Sequence, residues 1–109
     1  MPNVFKNSIS GSVGTAGSVV YTTPISTSTT VIGMSVANVH PSNNISVTAN
    51  LTSGSSTVSI VKNATVPVGG TTVLIGGDQK MVLTANNFLS VTSSVGASAD
   101  VIVSVLEIS

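Results

Sequence analysis

The chain contains no cysteine, which removes disulfide frameworks, thiolate metal sites and thiol catalysis together. Its stability must therefore come from packing. Charge is almost as scarce: charged residues are 6% of the 109 positions, against about 25% in ordinary soluble domains, and three basic side chains cancel three acidic ones. Without clustered Lys or Arg there is no electrostatic footprint for nucleic acid or for an anionic membrane, so neither partner is expected. Tryptophan is absent and the aromatics are Phe5, Tyr21 and Phe88, too few for the ring stacking on which sugar-binding sandwiches rely. The run Met1-Pro2-Asn3-Val4-Phe5-Lys6-Asn7-Ser8 has neither the basic nor the apolar region of a signal peptide. No stretch reaches the roughly 18 apolar residues of a membrane span, so the chain is expected to be made in the cytoplasm as a soluble protein.

What the sequence does have is hydroxyl groups: Ser and Thr occupy 33 positions, so its polar surface is hydroxylic rather than ionic. A mean hydropathy of +0.57 with zero net charge gives copies of the chain little reason to repel one another. Self-association is the expectation. The length allows one domain with a single core.

Period-two alternation recurs throughout, and no window of eleven or more residues carries a helical apolar pattern without interruption. The sequence predicts an all-β chain with strands at 4–9, 17–22, 29–38, 44–52, 56–63, 71–76, 80–85, 88–93 and 99–108. Seven to nine real strands are expected. In the fourth, Ile45, Val47, Ala49 and Leu51 point to the core while Ser46, Thr48, Asn50 and Thr52 point away. In the third, Ile32, Met34 and Val36 form the inward set, and Gly33, Ser35 and Ala37 are small enough to let another surface approach. Breaks at Pro24, at 40–44, at 53–55, at Pro67 with Gly69-Gly70, at Gly76-Gly77-Asp78 and at Asn86-Asn87 cut the chain into hairpin-length pieces. Short strands with turns every 8–12 residues predict a two-sheet antiparallel sandwich, jelly-roll or immunoglobulin-like. Residues 1–15 are expected to form an N-terminal arm or first strand, and 16–109 the sandwich. Gly11, Gly14 and Gly17 make 8–18 the most flexible-looking stretch, and an arm beyond it could reach a neighbouring subunit.

The last strand carries two apolar sets, Val101/Val103/Val105 and Ile102/Leu106/Ile108, the pattern of a central strand covered on both faces. It ends within a residue of the end of the sequence and has no polar tail to shield it. Glu107, alone among the valines of its face, predicts that the far end of the strand emerges at a rim or interface.

Candidate chemistry does not add up to a site. His40 is the only histidine, and a Ser-His-Asp triad with Asp78 or Asp100 can be written on paper, but there is no G-x-S-x-G elbow and a turn histidine before Pro41 is the simpler reading. One His, two Asp and one Glu are scattered along the chain, so no metal site is assigned; Gly77-Asp78 and Asn86-Asn87 suit turns without an ion. The glycine-rich 11–17 stretch lacks the Lys-Ser/Thr ending and following helix of a phosphate loop. Three Asn-X-Ser/Thr sequons, at Asn44, Asn50 and Asn63, are what nine Asn in so hydroxyl-rich a chain produce by chance. Lys62 reads as an edge-strand lysine that discourages aggregation. No catalytic, cofactor-binding or metal-binding residue is assigned.

Several phrases nonetheless resemble a known family. Asn3-Val4-Phe5-Lys6-Asn7, Val20-Tyr21-Thr22-Thr23-Pro24, the run 29–38 and Leu74-Ile75-Gly76-Gly77-Asp78-Gln79-Lys80 are four of them. With Leu89-Ser90-Val91-Thr92-Ser93-Ser94 and the run 100–108, they resemble small β-rich virion structural proteins of tailed bacteriophages, notably the T4-like phages of marine cyanobacteria. The resemblance implies a non-enzymatic component of the phage particle, present in many copies in the virion and made in the host cytoplasm, with no cofactor. Expected partners are its own copies and other virion proteins such as the major capsid or tail proteins. Capsid decoration or cementing is the leading expectation; a tail, neck or baseplate-fibre component and a host-surface binding module are the alternatives.

Overall fold

The computed structural model describes residues 3–76 and 80–108. Nine strands account for most of them: β1 (Asn3–Val13), β2 (Ser18–Thr22), β3 (Ser28–Asn38), β4 (Ile45–Ser53), β5 (Ser56–Val66), β6 (Thr71–Ile75), β7 (Met81–Leu83), β8 (Phe88–Ser93) and β9 (Ala99–Ile108). They form two antiparallel sheets. One has the order β1-β9-β3-β6, with β7 also on β3, and the other the order β2-β8-β4-β5.

The pairing is nested. β4 and β5 form a hairpin, and outside it β3 pairs with β6 and β7, β2 with β8, and β1 with β9. Rolled so that successive layers alternate between sheets, this long hairpin is a jelly roll, which selects between the two sandwich topologies the sequence left open. At its tip, Gly54 has φ 61 and Ser53 pairs with Ser56, the two-residue turn whose twist matches the flanking strands.

The core is aliphatic. Val31, Met34 and Val36 of β3, Val101, Val103 and Val105 of β9, Ile75 and Leu83 meet Val20, Ile45, Val47, Ala49, Leu89 and Val91 from the opposite sheet. The inward set expected for β4 is buried except for Leu51, which is half-buried. Three expectations differ. Ile32 is half-buried and not a member of the inward set, because a bulge between Val31 and Gly33 shifts the register so that Val31, Met34 and Val36 share the core face. β9 is central within its sheet, between β1 and β3, but covered on one face: Val101, Val103 and Val105 are buried, whereas Ile102 is 51% and Ile108 42% exposed. The 8–18 stretch is not uniformly loose, since β1 runs through Val13 with a bulge between Ser10 and Val13.

Candidate assembly surface

Registers across the five-stranded sheet place its outward residues in rows. Phe5, Leu106, Thr30 and Val82 form one row, and Ile9, Ile102, Ser35 and Val73 another. Between them lies a row of small or polar residues, Asn7, Ser104 and Gly33. Phe5, Ile9, Val73 and Val82 are each more than 60% exposed. No residue of the three rows is charged. A cleft of about 240 Å³ lined by Ile9, Ser10, Gly11, Asp100, Val101 and Ile102 deepens one end of this face. Isolated surface hydrophobes are ordinary, but here Phe5 with Leu106 and Ile9 with Ile102 form apolar pairs across β1 and β9, and Val82 and Val73 continue the rows beyond Thr30 and Ser35 of β3, which makes this face a candidate contact surface.

The opposite outer face is mostly hydroxylic, with apolar Phe88 beside Thr52 and Val19 beside Ser90 towards β2. Thr48 lies beside Thr92, Asn50 beside Ser90 and Ser59, and Thr52 beside Thr57. Its side chains bond to each other: the Thr52 and Thr57 hydroxyls are 2.9 Å apart, and Ser59 Oγ donates to Asn50 Oδ1 at 3.0 Å.

The sheet edges differ as well. β5 is broken by two register shifts against β4 and carries exposed Lys62, devices that blunt an edge, in agreement with the sequence reading of that lysine. β1 is eleven residues long and its single charge, Lys6, is engaged: Nζ lies 2.9 Å from Glu107 Oε1. Glu107 also accepts a 2.6 Å hydrogen bond from the Tyr21 hydroxyl, whose oxygen lies 2.8 Å from Thr29 Oγ1. This cluster ties β1, β9 and β3 of one sheet to β2 of the other. Glu107 is 8% exposed, so the carboxylate does not emerge at a rim as its isolation suggested; it faces inward and is satisfied. The Tyr21 hydrogen bond, helped by Lys6, holds its carboxyl below the usual value. Burial, together with the neighbouring carboxylate, pushes the Tyr21 phenol up to about 12. The sequence signal for this cluster was one carboxylate on a valine face; its partners, 86 residues away in the case of Tyr21, had none.

The residues weighed for chemistry lie apart. His40 Nδ1 accepts from the Ser42 and Asn43 N–H groups at 3.2 and 3.0 Å, which makes it a turn-forming side chain. Asp100 Oδ1 accepts from the Ser12 N–H at 2.9 Å, and Asp78, with Gly77 before it, lies outside the described residues. Among the described residues no three His, Asp or Glu side chains converge, and no helix is long and apolar enough to cross a membrane. The 11–17 stretch closes a turn, Gly17 N–H donating to the Gly14 carbonyl at 3.3 Å; a Cβ on Gly17 would lie 2.8 Å from Thr92 Oγ1.

No family model matches the chain, and no curated protein matches it. Solved structures share its fold. One is a chain of Bacillus endospore appendages, a family of disulfide-linked pili: 10% identity, TM-score 0.55, covering 98% of this chain and 88% of that one. Another is from the acid-stable capsid of the Helicobacter pylori bacteriophage KHP30: 12% identity, TM-score 0.60, covering 98% of this chain and 93% of that one. At such identities the likeness is one of fold, and it extends to a phage capsid protein without reaching the cyanophage type. The chain is thus similar in fold to subunits of two multicopy assemblies, and it has no cysteine with which to make the pili's linkage.

Proposed function

We propose that the protein is a non-enzymatic, multicopy structural subunit of a bacteriophage particle that decorates or cements the capsid through subunit contacts. The observation that carries this reading is the pair of exposed, uncharged rows rich in apolar side chains on the outer face of the five-stranded sheet, presented by a sandwich with a separate buried core. A monomeric domain gains nothing from leaving such a face in water. The fold shared with a phage capsid protein supports the reading, as does the phrase-level resemblance to virion proteins. In this reading residues 1–15, as arm or first strand, present the long β1 edge to a neighbour, while 16–109 form the rigid body. β1 has unpaired backbone groups along one side and could extend a neighbouring sheet.

The fold shared with a pilus subunit favours one second reading, a fibre-like component of the tail, neck or baseplate. Immunogold imaging of the particle that carries the chain separates the two. Many labels over the head support decoration, label confined to the tail moves the chain to the second reading, and unlabelled particles sink both. An ester- or glycoside-hydrolysing activity lost on His40→Ala would overturn the non-enzymatic assignment.

A further inference from the structure

We infer that the outer face of the five-stranded sheet pairs with the same face of a second copy, about a two-fold axis running along the Asn7–Ser104–Gly33 row. The inference deepens the multicopy reading and rests on it. The row Phe5–Leu106–Thr30–Val82 lies two residues to one side of the central row along β1 and β9, and the row Ile9–Ile102–Ser35–Val73 lies two residues to the other side. A two-fold axis in the plane of the interface reverses strand direction and keeps each strand over its own copy. It therefore sets each apolar row against the other apolar row of the partner. The small central row meets itself and lets the sheets approach.

Charge fits the same operator. Asp100 pairs with Ala37 in the row beyond Ile102, and the axis sends that row opposite Asn3, Ile108 and Ser28, so no carboxylate faces another. The three central rows carry no charge, so a surface of their own kind matches them, and the two apolar rows supply that match. The footprint is adequate though small. Four strand positions by about eight residues span roughly 19 by 26 Å, or about 1,000 Å² counted over both copies, the lower bound for a specific interface. A reversible pair is expected, strengthened where other contacts hold many copies together. Because aligned sheets cross at about 30°, register is best kept on β9 and β3, nearest the centre.

Since the chain has no cysteine, single-thiol variants report the geometry directly. Ser104→Cys, Ile102→Cys and Leu106→Cys would be treated with a bifunctional thiol reagent of about 10 Å reach, the spacing of stacked sheets. Ser104→Cys should cross-link to itself. Ile102→Cys and Leu106→Cys should cross-link at least tenfold better when mixed than when either is alone. Sedimentation equilibrium should show wild-type dimers whose dissociation constant rises at least tenfold with Ile102→Lys and is unchanged by Thr92→Lys, both variants keeping the wild-type circular dichroism. Wild-type oligomers that lack this cross-linking pattern overturn the pairing and leave the multicopy reading standing. A wild-type chain that stays monomeric at millimolar concentration, and is absent from particles, overturns both.

Discussion

The two sheets of this sandwich are alike on the inside and opposite on the outside. Both inner faces are mainly aliphatic, with the Tyr21–Glu107 cluster joining them; outside, one sheet carries apolar rows and the other chiefly a ladder of Ser, Thr and Asn side chains that bond to each other. The hydroxyl ladder is satisfied where it stands and gains little from a partner, because direct hydrogen bonds only replace those made to water. The apolar rows gain about 25 cal/mol for each Å² removed from water. Period-two alternation therefore means two things in one chain: in β4 it separates core from solvent, whereas in β9 it separates a buried face from a face still awaiting cover.

That contrast can be broken in several ways. The largest effect should come from Met34→Ala, which empties a core site 1% exposed and should cost about 2–5 kcal/mol in chemical denaturation. Ile102→Ala, on the outer face of the neighbouring strand, should cost under about 0.5 kcal/mol in the dilute monomer. Equal losses would mean that the outer face is already covered within one copy.

Next comes the cluster that joins the two sheets. Glu107→Gln and Tyr21→Phe should each cost about 1.5–3 kcal/mol, the range for a hydrogen bond to a charged group. The pH dependence has two arms. The folded carboxyl titrates below its unfolded value of 4.5, so its contribution is present above that pH and fades as pH falls through the lowered folded value. Tyr21, raised from 10.0 to about 12, contributes fully below pH 10 and loses that contribution as pH rises towards 12. A stability profile of Tyr21→Phe that still falls between pH 10 and 12 would assign the alkaline arm to another group.

A smaller effect on folding, and a sharper one on the comparison, should come from placing Lys at matched outer positions. Ile102→Lys and Thr92→Lys should each stay within about 0.5 kcal/mol of wild type, and only the first should weaken self-association in sedimentation. The smallest change expected is His40→Ala, which removes an acceptor from an exposed turn and should cost at most about 1 kcal/mol by thermal melting.

Much of the fold was legible because strand alternation is a local signal. The fourth and ninth strands were placed within a residue of their ends, and the Gly54 turn was marked by composition. Ile32 was misplaced because a bulge adds a residue without changing composition, so the phase of β3 reverses silently. The candidate surface was legible only as the two apolar sets of β9, which read equally well as a strand buried on both sides. Distinguishing the cases requires knowing that no helix or third sheet lies over that face among the described residues. Lys6, Tyr21, Thr29 and Glu107 are brought together by strand pairing across nearly the whole chain, and nothing in the spacing of four separate residues announces it.

By itself, the sequence determined an all-β sandwich, a hydroxylic rather than ionic surface, and freedom from charge repulsion between copies, because these depend on composition and period-two pattern alone. Only the tertiary structure decided that the strands nest as a jelly roll, that Glu107 faces inward to Tyr21 and Lys6, and that Ile102 and Leu106 align with Phe5, Ile9, Val73 and Val82. The physical reason is that hydrogen-bonded pairing between distant strands sets which residues become neighbours, and a backbone ladder carries no side-chain code for its partner.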